Sequence, residues 1–174
     1  MRALFITKEN DLKYQDIKEP IIQSPDEVKI KIAYSSICGF EMMILRGEVD
    51  TVFGIMGHEA SGIVTDVGNA SRKFFHIGDR VAMNNQVPCG QCVLCRRGKP
   101  SYCENLFYES GTLAEYTVRK MDQVWHLPVD CSIKVGCLAE PLDFLYEYSY
   151  KKSYTTDFFI RIFSEMPHGY YIFR

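Results

Sequence analysis

Pro88-Cys89-Gly90-Gln91-Cys92-Val93-Leu94-Cys95-Arg96-Arg97-Gly98-Lys99-Pro100-Ser101-Tyr102-Cys103 places four cysteines in the pattern Cys-x2-Cys-x2-Cys-x7-Cys. Four thiolates on one short loop can close a tetrahedral shell around a soft cation. Zn²⁺ is the best match, because closed four-cysteine sites are structural zinc sites. An iron–sulfur cluster is the rival. The first three cysteines have the bacterial ferredoxin spacing, but there the fourth follows after three residues and precedes a proline. Here seven residues intervene and Glu104 follows. Cysteines packed as small apolar residues are the remaining alternative. Gln91, Arg96, Arg97, Lys99 and Glu104 argue against it, since they make the loop polar. Gly90 and Gly98 stand where a chain wrapping an ion needs tight bends.

The rest of the composition narrows the class. The 174 residues suffice for one domain with a real core, or one domain plus an appendage. A formal net charge of -2 gives no electrostatic case for nucleic acid or an anionic membrane. The apolar run after Met1 is too short for a signal peptide, and no stretch reaches the roughly 18 apolar residues of a membrane helix. Seven cysteines, four of them clustered, read as metal ligands in a reducing compartment rather than disulfides. A cytoplasmic protein is expected.

Around the loop the chain reads as strands. Glu27-Val28-Lys29-Ile30-Lys31-Ile32-Ala33-Tyr34 alternates polar and apolar, as a strand with one buried face does. Ala3 to Thr7, Ser61 to Val67, Asp79 to Met83, Leu113 to Val118 and Gln123 to Leu127 read as further strands between turns. Phe40 to Leu45 and Ser132 to Leu138 are short helices, the second capped by Asp130 or Ser132. The expected class is mainly β with a few short helices, folded as a barrel or folded-over sheet.

A second constellation lies outside the loop. Cys38-Gly39 closes the alternating strand, Gly57-His58-Glu59 opens the next, and Glu140-Pro141-Leu142 ends the second helix. Cys, His and Glu are the donor set of an open zinc site, in which one position is left for water or substrate. Their separation in sequence leaves open whether they meet in space.

Taken together these stretches resemble the N-terminal, GroES-like catalytic domain of zinc-dependent medium-chain alcohol and polyol dehydrogenases. The matching segments are Ile37-Cys38-Gly39, Gly57-His58-Glu59-x2-Gly62-x-Val64, Gly78-Asp79-Arg80-Val81, the cysteine loop, Ala114-Glu115-Tyr116 and Glu140-Pro141-Leu142, in the family's order. The resemblance implies a GroES-like partly open barrel over residues 1–147. It implies Cys38 and His58 as ligands of a catalytic zinc, with Glu59 and Glu140 competing for the remaining protein position. Cys89, Cys92, Cys95 and Cys103 would hold a structural zinc. The Glu of Glu140-Pro141-Leu142 looks like the sorbitol, threonine and glucose dehydrogenase branch, in which hydride passes from an alcohol or polyol to NAD or NADP.

Departures from the family pattern qualify that reading. The Ser or Thr hydroxyl that starts the family's proton relay is replaced by Phe40, and the His that often ends it by Met43. Neither side chain moves a proton. Glu41 stands where the family usually has an Asp that orients the zinc-bound His, and one more methylene does not prevent that role. No Gly-x-Gly-x-x-Gly phosphate turn occurs in the 174 residues. The family likeness ends near Glu147, and residues 148–174 form an aromatic-rich tail with Tyr148, Tyr150, Tyr154, Phe158, Phe159 and Phe163.

The tail is expected either to cover the barrel or to reflect a truncated or replaced cofactor domain. No complete Rossmann domain is expected. Three functions follow: a zinc dehydrogenase by descent, a zinc-binding domain without activity by itself, and, weaker, an iron–sulfur or thiol redox module. The cleft wall that a cofactor domain would cover is expected to be apolar, and hence to drive homo-oligomer formation.

Overall fold

The alternation in residues 27–34 becomes the spine of the protein. A computed structural model describes residues 1–9, 11–49, 54–142 and 172–173. Its elements in chain order are β1 (Arg2–Ile6), β2 (Leu12–Asp16), β3 (Glu27–Ser36), α1 (Gly39–Leu45), β4 (Gly54–Ile55) and β5 (Glu59–Val67). There follow β6 (Arg80–Met83), β7 (Gln86–Val87), α2 (Val93–Arg96), β8 (Phe107–Tyr108), β9 (Tyr116–Lys120), β10 (Val124–His126), α3 (Ile133–Gly136) and β11 (Ile172–Phe173). The chain is mainly β with a few short helices, and its main sheet curls into a half-barrel.

That sheet runs β10-β6-β5-β3-β11, with β9 also pairing β3. β3 and β5 are antiparallel, and register shifts fall between Lys29 and Ile30 and between Ile32 and Tyr34. Such irregularities bend a strand and deepen its twist, which is how an antiparallel sheet closes on itself. Val28 and Ile30 of β3 face inward against Val64, Val81, Met83 and Val124, all buried. Each such side chain contributes roughly 1.5–3 kcal/mol on leaving water. A second sheet, β2-β1-β4, carries a smaller core of Ile6, Ile44 and Met56. This core anchors α1 through Ile44, near the end of the helix.

Two expectations shift. The strand expected over 113–118 forms at Tyr116–Lys120 instead. Residues 112–115 are drawn to the other sheet: Leu4 N–H donates to Leu113 O at 2.8 Å, and Glu115 N–H donates to Arg2 O at 3.1 Å. The helix expected over 132–138 is shorter, Ile133–Gly136, with the Ser132 hydroxyl accepting from Val135 N–H as its cap. β2 carries no alternation because every residue in it is exposed; it is held by pairing with β1. Of the aromatic tail, residues 148–171 and 174 lie outside the described residues. Ile172 and Phe173 pair antiparallel with Ser36 and Ser35 at the end of β3.

Candidate metal centres

The β7–β8 ribbon carries the cysteine loop out from the main sheet. Gly90 and Gly98 both adopt φ of +71°, a left-handed conformation that brings Cys89, Cys92 and Cys95 round to face Cys103. The four sulfurs lie within 4.8 Å of one another. Cys92 Sγ and Cys103 Sγ are 4.0 Å apart. Tetrahedral zinc with sulfur bonds near 2.3 Å requires about 3.8 Å between sulfurs.

Backbone amides point at the sulfurs. Cys92 N–H donates to Cys89 Sγ at 3.4 Å, Cys95 N–H to Cys92 Sγ at 3.4 Å, and Asn105 N–H to Cys103 Sγ at 3.3 Å. The amides of Cys95 and Glu104 hold the Cys92 thiol down at about 6, whereas burial and the Cys92 sulfur push Cys95 up to about 12. Thiolates this close cannot all ionise without a cation among them. The donor set therefore fits zinc. None of the seven cysteines is in a disulfide.

The second cluster forms where β3 and β5 lie side by side. Cys38 follows β3 and is the residue at which α1 begins. His58 precedes β5, and Glu59 opens it, opposite Ser36. Gly57 sets the approach. With φ of +87° it lies against Thr112 and Leu113, and a Cβ there would meet Leu113 Cγ at 2.7 Å and the Leu113 amide nitrogen at 2.8 Å. Only glycine lets the chain pass this close and turn His58 inward. Glu140 comes from a helical turn over residues 139–142.

Two overlapping groups result. Cys38, Glu41 and His58 have donor atoms within 4.8 Å of one another, and so do His58, Glu59 and Glu140. All five candidate residues of the second site are thus gathered around His58. Glu41 bridges two of them. One of its oxygens accepts from Cys38 N–H at 2.8 Å, and the other lies 2.7 Å from His58 Nδ1. A carboxylate on Nδ1 fixes the ring orientation and leaves Nε2 as the nitrogen for a metal.

Glu59 is buried to 1% exposure, and its Oε1 has no hydrogen-bond partner. A buried carboxylate oxygen without a partner is costly unless a cation or proton meets it. The donor set around it (thiol, imidazole, carboxylates) suits zinc.

Comparison with known proteins decides the family. The alcohol dehydrogenase GroES-like domain matches residues 24–129. The chain belongs to the zinc-dependent medium-chain alcohol and polyol dehydrogenase family. Probable D-xylulose reductase A of Emericella nidulans is 34% identical over 141 residues, covering 75% of this chain and 39% of its own. The structure of galactitol-1-phosphate dehydrogenase from Escherichia coli superposes with a TM-score of 0.75 at 31% identity, over 81% of this chain and 42% of that one. A zinc-binding dehydrogenase fold from Sinorhizobium meliloti, solved with NADP, gives 0.72 at 28% identity, over 81% of this chain and 42% of that one. The chain thus spans about 40% of the length of the relatives it matches.

In this GroES-like domain the electrostatics of the second cluster are set by burial and by carboxylates. Burial works against charge on His58. Hydrogen bonds with Cys38 and Glu41 and the charges of Glu41 and Glu140 outweigh it, and His58 is pushed up to about 10. Burial raises Glu59 above the usual carboxylate range, opposed by its bond from Ser36.

Several polar residues behind the cluster carry no sequence signal. Ser36 donates to Glu59 Oε2. Ser35 donates to the Glu59 carbonyl at 2.9 Å and lies 3.0 Å from the Thr112 hydroxyl. A serine in a strand has no spacing pattern, and only the β3–β5 register places these two beside Glu59. Among the described residues no helix is long and apolar enough to cross a membrane.

Proposed function

We propose that this chain is the zinc-bearing catalytic domain of an NAD(P)-dependent dehydrogenase acting on a small alcohol or polyol. In this reading Cys38, His58 and one or both of Glu59 and Glu140 hold a catalytic zinc, and Cys89, Cys92, Cys95 and Cys103 hold a structural one. The observation that carries it is the unpartnered, buried Oε1 of Glu59 inside a cluster of Cys, His and Glu donors. The polyol and sugar-alcohol names of the relatives support the substrate class.

A zinc ion at this site supplies Lewis-acid polarisation of a substrate hydroxyl. The chain's own residues do the rest. Glu41 holds the ring of His58 and the backbone of Cys38 in one arrangement. The β3–β5 pair fixes Glu59. Phe40 and Met43, both on the exposed side of α1, offer an apolar wall and no proton path.

A second reading is favoured by the absence of a dinucleotide turn from the 174 residues. By themselves these residues bind zinc and do not transfer hydride. A hydride acceptor must be held about 3–3.5 Å from the donor carbon, and that positioning needs a nicotinamide site. Exposed Phe40, Met43 and Leu142 support self-association. A reducing, cytoplasmic setting suits seven free thiols.

The test is metal content with spectroscopy. Near two zinc ions per chain, one lost on Cys38→Ala and the other on Cys92→Ser, agrees with the proposal. One zinc per chain, unaffected by Cys38→Ala, would refute the catalytic site. NAD and NADP reduction with a polyol panel on the same chain separates the two readings.

A further inference from the structure

We infer that Ser36 is a positioning residue that makes Glu59 a one-oxygen ligand of the catalytic metal. The inference rests on the reading above, that Glu59 belongs to the zinc site. Ser36 is completely buried, and the β3–β5 register sets it directly opposite Glu59. Its hydroxyl donates to Glu59 Oε2. The other oxygen, Oε1, is the one left without a partner. A free carboxylate can turn about its last bond and offer a metal either oxygen or both. Once one oxygen accepts a hydrogen bond from a fixed donor, the carboxylate no longer turns freely, and the oxygen without a partner is the one presented to a metal.

The donor is itself fixed from both sides. Ser36 pairs with Glu59 on β5 and with Ile172 on β11, so its backbone is held on both edges. Next along β3, the Ser35 hydroxyl ties down the Glu59 carbonyl and meets Thr112. Main chain and side chain of Glu59 are thus both held, by consecutive serines.

Charge gives the arrangement a second role. Glu41, Glu59 and Glu140 crowd around His58. The Ser36 hydroxyl sets the positive end of its dipole against Glu59 where three carboxylates converge, and so eases their mutual repulsion. A serine with a merely structural role would donate equally well to a main-chain carbonyl. This one donates to the carboxylate whose other oxygen is left without a partner, with the buried Cys137 thiol beside it as its other neighbour.

The test uses the full 174-residue chain carrying Ser36→Ala or Ser36→Cys, the latter similar in size but a weak donor. Zn²⁺ affinity at the second site is read by competition with a chromophoric chelator. Coordination is read from the d–d absorption of the Co²⁺-loaded protein. Loss of an outer-shell partner should weaken zinc at this site roughly 10–100-fold. The Co²⁺ band of the second site should lose intensity as Glu59 swings to bind through both oxygens and the coordination number rises. The four-cysteine site, with its own thiolate bands, should be unchanged, and near-UV circular dichroism with the thermal unfolding midpoint reports that the variants fold. If wild type binds two metals and both variants keep its affinity and spectrum, the assignment of Ser36 is wrong while the site stands. If wild type binds metal only at the four cysteines, the catalytic-site reading fails and Ser36 fails with it.

Discussion

Glu41→Gln removes one negative charge and almost no volume, and the geometry fixes what should follow. Glu41 is buried to 2% and offers two acceptor oxygens to two N–H donors, Cys38 N–H at 2.8 Å and His58 Nδ1 at 2.7 Å. Glutamine has one acceptor and an NH2 group. Whichever way the amide turns, one of the two N–H groups faces another donor. Hydrogen bonds to a charged group contribute roughly 1.5–3 kcal/mol each, and a buried donor left unmatched costs about 1–3 kcal/mol. With one bond kept at neutral strength, the metal-free chain should lose about 2–4 kcal/mol. For a chain of this size that lowers Tm by roughly 4–16 °C. A second effect acts on the metal. Without the carboxylate the His58 ring is no longer held with Nε2 outward, and zinc affinity at the second site should fall roughly 10–100-fold. Urea unfolding of the metal-free protein and chelator competition read the two effects separately. A stability change under about 0.5 kcal/mol, ordinary for a surface substitution, together with unchanged zinc affinity would refute the bridging role.

Four further outcomes are expected. Cys92→Ser should lose one zinc per chain and disorder residues 88–105 while the barrel stays folded, since neither apolar core draws a residue from that loop; unchanged zinc content or a collapsed near-UV spectrum would count against it. Gly57→Ala should destabilise by roughly 2–6 kcal/mol, combining a strained positive φ with overpacking against Leu113, and should weaken the second metal site; a stable variant with full zinc would contradict the tight passage. Zinc affinity at the second site should rise with pH up to about 10, because metal needs neutral imidazole and His58 is held protonated in the metal-free chain. The same protonation stabilises the metal-free fold fully below about 6.5 and is lost as pH rises through about 10; calorimetry in buffers of different ionisation heat should detect the released proton, and a pH-independent affinity would exclude this role. The 174-residue chain should not reduce NAD or NADP with polyols, and reduction that disappears in Cys38→Ala would overturn that.

The two metal sites differ in how far they can be read from the sequence, and the difference is one of range. Cys89, Cys92, Cys95 and Cys103 sit on one loop, so spacing alone defines a tetrahedral shell. Cys38, His58, Glu59 and Glu140 come from three elements, and only the family's motif order suggests that they meet. Glu41 was legible by the same route. Ser36 was not, because its role exists only once β3 and β5 have paired in register. Alternation in residues 27–34 announced β3 since one face is buried. β2 gave no such signal, as both its faces are wet. Residues 112–115 misled because the chain crosses there from one sheet to the other, and an extended backbone does not say which neighbour it will join.

β3 draws its neighbours from distant parts of the chain, and this imposes an order on synthesis. Glu59 follows Ser36 closely, whereas Tyr116, the partner of Lys31, is made about 85 residues after it. At roughly 5–20 residues per second, that interval lasts on the order of ten seconds. All four cysteines of the loop are translated within it. The loop can therefore take up its ion while one edge of β3 still has no strand beside it. Metal supply and edge closure are separate hazards for the nascent chain, and abundant zinc protects it against only the first.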